Sequence, residues 1–115
     1  MGSTLVTGAV MGHAGEFELV TMLAIAQLGD DAYGVTVRDV LEARTSRTVT
    51  LGAIYKTLGR LEAKRLLEVR VAPPTGERGG RRKKLYRLTP DGLAAVRDSL
   101  SDLRQLAEGL ELEIP

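Results

Sequence analysis

The stretch from residue 50 to residue 89 constrains the fold of this 115-residue chain most. Thr50 is a favourable N-cap residue, and apolar residues follow it every three or four positions, which predicts a helix. These inward positions are Leu51, Ile54, Leu58 and Leu61. Two short strand-like runs come next, at 67–71 and 84–88, and the twelve residues between them include two prolines and three glycines. The order predicts a helix that leads directly into a β-hairpin.

Charge is strongly segregated along the chain. Residues 44–88 contain thirteen of the sixteen Lys and Arg residues and three of the fifteen acidic ones, a net charge of +10. The remaining residues carry three basic and twelve acidic groups, a net charge of −9, so the total of +1 conceals a basic segment. A local field of this kind attracts a polyanion. We expect double-stranded DNA as the partner, and docking of an acidic protein on the same basic surface is the alternative.

Two further helices are predicted before the basic segment. Apolar residues of 17–28 fall on one broad helical face, and Gly-Asp-Asp at 29–31 ends that helix. A shorter helix is expected over residues 33–44. Residues 1–14 show no sustained period and are expected to form a flexible tail. The fold class predicted is mainly α with a small two-stranded β wing, which is a winged helix-turn-helix with a C-terminal dimerisation helix.

The outward face of the third helix carries candidate DNA contacts. Gly52 and Ala53 are small enough to let the helix start approach base edges in a major groove. Lys56 and Arg60 can reach phosphates or guanines from the same face. The other candidates on or beside this helix are Thr50, Tyr55, Thr57 and Lys64. The basic hairpin adds Arg81, Arg82, Lys83 and Lys84, which are expected to bind flanking phosphates.

A last helix is predicted from Thr89, because Pro90 and Asp91 are typical of a first helical turn. An apolar seam of about two and a half heptads follows. It comprises Leu93, Val96, Leu100, Leu103, Ala107 and Leu110, with Leu106 widening it. Because a small domain with three other helices offers it little room, we expect the seam to form a homodimer. The predicted organisation is a tail over 1–14, a DNA-binding domain over 15–89 and a dimerisation helix over 90–115.

Three sequence runs carry a resemblance to a known family. They are A-Y-G-V-T-V, L-G-A-I-Y-K-T-L-G-R-L-E-A-K-R-L-L and K-K-L-Y-R-L-T-P-D-G. In this order they resemble the PadR family of bacterial transcriptional regulators over residues 17–110. The resemblance implies a dimeric winged helix-turn-helix that binds operator DNA, usually as a repressor, with a small-molecule effector relieving repression in some members. It also implies that Tyr33 and Tyr55 contact phosphates and that Lys84 and Tyr86 hold the wing to DNA. Members commonly have a glycine where this chain has Arg65.

Other function classes gain no support from the residues. The absence of cysteine excludes disulfides, thiolate metal sites and cysteine nucleophiles, and it fits a reducing compartment. His13 stands in the N-terminal stretch without a second ligand or a carboxylate partner, so we expect neither a catalytic residue nor a metal or cofactor. The chain has no run of 18 apolar residues, so we expect no membrane span and a cytoplasmic location.

Overall fold

The structure is a computed structural model that describes residues 15–73 and 83–112. Its helices and strands, in chain order, are α1 (Glu16–Leu28), a 3-10 turn (Gly29–Asp31), α2 (Gly34–Arg44), α3 (Leu51–Ala63), β1 (Leu67–Val71), β2 (Lys84–Leu88) and α4 (Pro90–Ala107). The predicted fold class, a winged helix-turn-helix with a two-stranded wing, is confirmed. The tail expected over residues 1–14 lies outside the described residues.

The core lies where α1, α2 and α3 meet. Met22 and Ile25 of α1 are fully buried, as are Val37 of α2 and Ile54 of α3. Leu58 and Leu61 extend the same α3 stripe and are also 0% exposed. Burying side chains of this size stabilises a fold by about 1.5–3 kcal/mol each, so this three-helix contact fixes the orientation of α3.

The two strands pair in the predicted ranges. They are antiparallel, with Leu67 opposite Leu88 and Val69 opposite Tyr86. The backbone N–H of Tyr86 also donates to the carbonyl of Ala32, 2.8 Å away, in the segment between α1 and α2. This hydrogen bond joins the wing to the start of the helix-turn-helix.

Arg65 lies in the turn that ends α3. Its φ is +62°, in the left-handed region that glycine adopts most easily. The Arg65 N–H donates to the Glu62 carbonyl, and the Leu66 N–H donates to the Leu61 carbonyl, each over 2.9 Å. These two bonds form a Schellman motif, in which the left-handed residue is usually glycine. Arg65 therefore ends the helix as a glycine would, in a backbone conformation that costs an arginine more.

The same turn is joined to the start of α4. The Thr89 hydroxyl donates to the Arg65 carbonyl over 2.8 Å and accepts from the Gly92 N–H over 3.0 Å, while the Thr89 N–H donates to the Leu66 carbonyl. Thr89 is thus the N-cap predicted for α4. Gly92 packs so closely that a Cβ atom there would lie 2.1 Å from the Leu66 carbonyl oxygen.

Helix α4 divides into a packed face and an open face. Ala95 and Val96 are buried against the domain, so the prediction that Val96 belongs to the dimer seam was wrong. The periodicity was correct, but the first two turns of α4 use their inner side to cover the core. The leucines of the seam are exposed, namely Leu93, Leu100, Leu103 and Leu106 on α4 and Leu110 beyond its end. The helix expected over residues 90–115 ends at Ala107, so the prediction that Leu110 lies on it was wrong. Ala107 is half-buried.

Candidate nucleic-acid interface

The N-terminus of α3 presents a small-residue surface. The Thr50 hydroxyl accepts a hydrogen bond from the Ala53 N–H over 3.1 Å, so Thr50 is the N-cap that the sequence predicts. Gly52 and Ala53 follow in the first turn and are exposed. A Cβ atom built on Gly52 would meet nothing within 4 Å. The start of α3 therefore leaves room for a close approach by a large partner.

Two cations continue this face. Lys56 and Arg60 are exposed and stand four residues apart, one turn above the other. Neither side chain makes a hydrogen bond or an ion pair with another residue in the part of the chain that the structure describes. Both side chains are therefore accessible to an incoming anion, and the charge of Arg60 also acts on the carboxylate of Glu18.

Thr57 does not lie on this face. It is 3% exposed and belongs to the core, so its predicted place on the outward face was wrong. Elements packed against α3 from several sides widen its buried stripe beyond the four aliphatic positions. A threonine at the edge of that stripe is buried although it adds little to the apolar pattern.

Lys64 faces α1 instead of the outward surface. Its ammonium group lies 2.9 and 3.0 Å from the two carboxylate oxygens of Glu18, which also accept a hydrogen bond from the Gly15 N–H. Burial acts to raise the pKa of Glu18, but the hydrogen bonds from Lys64 and Gly15, together with the charges of Lys64 and Arg60, outweigh it, so this pKa is lowered. Glu18 is 8% exposed and stays ionised, and it neutralises a cation that the sequence assigned to the outward face.

Tyr33 and Tyr55 meet at the start of α2. A Cβ atom on Gly34 would lie 2.5 Å from the ring of Tyr55, so this position requires glycine for the ring to pack there. Tyr55 remains 53% exposed. The Lys83 ammonium group lies 4.5 Å from the centre of the Tyr33 ring, which is a cation–π contact. The structure thus brings Tyr33, Tyr55 and Lys83 to one place.

These residues line a cleft of about 580 Å³ between α2, α3 and the base of the wing. The cleft is lined by Tyr33, Gly34, Val35, Tyr55, Gly59, Glu62, Lys83, Lys84 and Tyr86. Tyr86 also lines the cleft, but it is 7% exposed and belongs to the core. Burial raises the pKa of Tyr86, and the nearby Glu62 and Tyr55 raise it further. The prediction that the Tyr86 side chain holds the wing to DNA conflicts with this burial.

Glu62 is the cleft residue that the sequence reasoning missed. Tyr55, Gly59 and Glu62 stand at i, i+4 and i+7 of α3, which puts them on one stripe that faces the wing. That spacing was readable from the sequence, but the prediction followed the basic residues of the neighbouring stripe. Arg81 and Arg82, also assigned to DNA binding, lie outside the described residues.

The described residues were also compared with what a metal site and a membrane-spanning helix require. Within residues 15–73 and 83–112, no three acidic, histidine or cysteine side chains converge to hold a metal ion. No helix in those ranges is long and apolar enough to cross a bilayer.

Solved structures share this fold. A PadR-like transcription factor from Bacteroides fragilis is 28% identical, with a TM-score of 0.67 over 82% of this chain and 85% of that one. A PadR family regulator from Eggerthella lenta is 24% identical, with a TM-score of 0.64 over 94% and 90%. Bacillus subtilis PadR, solved in complex with operator DNA, is 17% identical, with a TM-score of 0.63 over 86% and 50%.

Sequence comparison is consistent with the structural likeness. Curated protein sequences give no match. The profile of the transcriptional regulator PadR-like family matches residues 22–98, which is more than half of the chain and runs from α1 into α4. With this match, the winged helix and the open basic face of α3, the chain belongs to the PadR-like family of transcriptional regulators.

Proposed function

We propose that this protein is a repressor that binds a pseudo-palindromic operator as a homodimer. The observation that carries the proposal is the uncovered outward face of α3. Its small first turn and the exposed charges of Lys56 and Arg60 match what a major groove and its phosphates require. The DNA-bound B. subtilis relative supports the same use of the fold.

In this proposal α3 enters the major groove with its N-terminal turn foremost. Gly52 and Ala53 allow close contact with base edges, while Lys56 and Arg60 bind phosphate or guanine. The cleft beside α3 receives a flanking phosphate through Lys83, Lys84 and Tyr33. Contacts of the second kind position the protein without reading the sequence.

The exposed leucines of α4 support the dimer. Leu103 is 55% exposed and Leu106 is 77% exposed, Leu100 is exposed on the same helix, and Leu110 is exposed just beyond its end. Exposed leucines grouped in this way are typical of an interaction site. Two copies joined through α4 by a two-fold axis would place two α3 helices in successive major grooves, about 34 Å apart. Occupation of such a site at a promoter would repress transcription by occlusion.

The test is selection from a library of random duplexes at two salt concentrations. Enrichment of an inverted repeat with half-sites about one turn apart would support the dimeric regulator. If the dimer neutralises about six to ten phosphates, affinity should fall by roughly 10³ to 10⁵ between about 50 and 200 mM salt. Salt-sensitive binding without an enriched motif would contradict sequence-specific regulation. Absence of binding at low salt would favour the acidic protein partner instead.

Substitutions on α3 test which residues carry the binding. Lys56→Ala and Arg60→Ala should each weaken operator binding, and the salt slope should fall by about one for each phosphate that the variant no longer neutralises. A residue that reads a base should also relax the preference at its position, at a cost of about 1–3 kcal/mol. Arg97→Ala is the matched control, because Arg97 is an exposed cation on α4 and not on α3. The oligomeric state of this variant is measured as well, because Arg97 lies one turn from Leu93 of the proposed dimer surface. Equal effects in the control and the α3 variants would contradict the proposed interface.

A further inference from the structure

The cleft beside α3 contains one residue that opposes its proposed use. Glu62 lines it together with Lys83 and Lys84, and it is the acidic residue among those that line this cleft. We infer that Glu62 limits the affinity of the protein for DNA of any sequence, by repelling the phosphate that the two lysines attract. This inference rests on the proposed function and assigns a new role to a residue of the same surface.

The position of Glu62 supports the inference. It is exposed near the C-terminal end of α3, on the stripe that also carries Tyr55 and Gly59 and that faces the wing. Among residues 15–73 and 83–112, its carboxylate has no hydrogen bond and no ion pair. Burial is the main cause of the raised pKa of Tyr86, and the nearby charge of Glu62 raises that pKa further, in agreement with the place of both residues in the cleft. Its negative charge is therefore not neutralised by a fixed partner in the described structure.

The position of Glu62 in α3 does not stabilise the helix. A negative charge in the last turn of a helix is unfavourable to the helix dipole. Some carboxylates of the described chain have structural partners: Glu18 binds Lys64, and Glu42 accepts from the Val49 N–H. Within residues 15–73 and 83–112 Glu62 makes no such contact, so its charge acts on an anion that enters the cleft.

The electrostatic effect is moderate in size. A carboxylate and a phosphate some 6–8 Å apart near a solvated surface repel each other enough to change a binding constant by about three- to tenfold. Because the phosphate backbone is the same at every site, the factor should apply equally to operator and random DNA. The expected consequence is faster release from all DNA, while the preference for the operator is unchanged.

Glu62→Gln tests this inference because it keeps the shape of the side chain and removes its charge. Fluorescence anisotropy with the selected operator and with a random duplex, at several salt concentrations, measures both affinity and salt slope. We expect the variant to bind both duplexes about three- to tenfold more tightly, with a slope steeper by about 0.9. Its melting temperature should equal or slightly exceed that of the wild type.

Asp98→Asn is the matched control. Asp98 is exposed on α4 and does not line the cleft, so the same change in net charge should alter binding less than about twofold. If Glu62→Gln binds like the control, or more weakly than wild type, the inference about Glu62 is overturned while the proposed function stands. If the wild-type protein binds no duplex at all, the proposed function fails and the inference fails with it.

Discussion

Replacing glycine by alanine should have opposite effects on the stability of the protein at two positions, Gly92 in α4 and Gly59 in α3. Gly92 and Gly59 both lie inside helices, where replacing glycine by alanine ordinarily stabilises by about 1 kcal/mol. The surroundings differ completely. A Cβ on Gly59 would meet nothing within 4 Å, whereas a Cβ on Gly92 would lie 2.1 Å from the Leu66 carbonyl oxygen.

The size of the Gly92→Ala effect follows from what must move. Real Cβ atoms do not approach closer than 3.0 Å, so the two segments must separate by roughly 1 Å. That shift disturbs the hydrogen bond from Thr89 to the Leu66 carbonyl and the cap between Thr89 and Gly92, each worth about 1 kcal/mol. Overpacking adds about 1–3 kcal/mol. After the gain in helix propensity, we expect a net loss of about 2–4 kcal/mol.

Urea and thermal unfolding at one fixed protein concentration measure both variants. Gly92→Ala should lower the melting temperature by about 8–16 °C, and Gly59→Ala should raise it by about 4 °C, at about 4 °C per kcal/mol for a domain of this size. Fixed concentration matters because a dimer gains stability by mass action. A Gly92→Ala variant as stable as the wild type would refute the close-approach reasoning, and a destabilised Gly59→Ala would refute the propensity argument.

Three further perturbations follow from the structure. Arg65→Gly should stabilise by about 0.5–1 kcal/mol in urea unfolding, since glycine adopts the φ of +62° without strain; a loss of stability would contradict this. Glu18→Gln should cost about 1–2 kcal/mol near neutral pH, discounted because the Lys64 side chain is 48% exposed. Because the folded state lowers the pKa of Glu18, its contribution is present above pH 4.5 and is lost as the pH falls through the lower folded pKa. The stability difference between wild type and Glu18→Gln should therefore shrink in acid, and a constant difference would refute the assignment. Leu103→Glu should convert a dimer to a monomer in sedimentation analysis, and an unchanged dimer would show that the exposed α4 surface is not the interface.

The sequence was sufficient for the order of the elements and for most of their bounds because local signals agreed there, although the last helix ends at Ala107 and was expected over residues 90–115. Thr50 and Thr89 are caps in the structure as predicted, and both strands fall in the expected ranges. The sequence did not show which part of the apolar stripe of α4 packs against the domain and which part stays exposed. Val96 has the same period as the exposed leucines, yet it is buried because the first turns of α4 lie against the domain.

Long-range contacts account for the remaining differences at the site. The sequence places Lys64 on the same face as Lys56, but the pairing with Glu18 across 46 residues turns it toward α1. Tyr86 is a strand residue whose burial the strand pattern alone did not predict, and its backbone N–H donates to the Ala32 carbonyl in the segment between α1 and α2. The exposed face of α3 was predicted correctly for four residues, because that surface depends only on the helical period. These residues are Gly52, Ala53, Lys56 and Arg60.

The Schellman turn at Arg65 has a mechanical consequence for a dimer. Thr89 donates hydrogen bonds to both the Arg65 and the Leu66 carbonyls. Because Gly92 has no side chain, the start of α4 lies directly against the Leu66 carbonyl. The end of α3 and the start of α4 thus form a rigid connection and not a hinge. In a dimer joined through α4, the angle between α3 and α4 would set the separation of the two α3 helices. An operator with one base pair inserted between its half-sites would then bind poorly, because the rigid connection would not let the two α3 helices move apart.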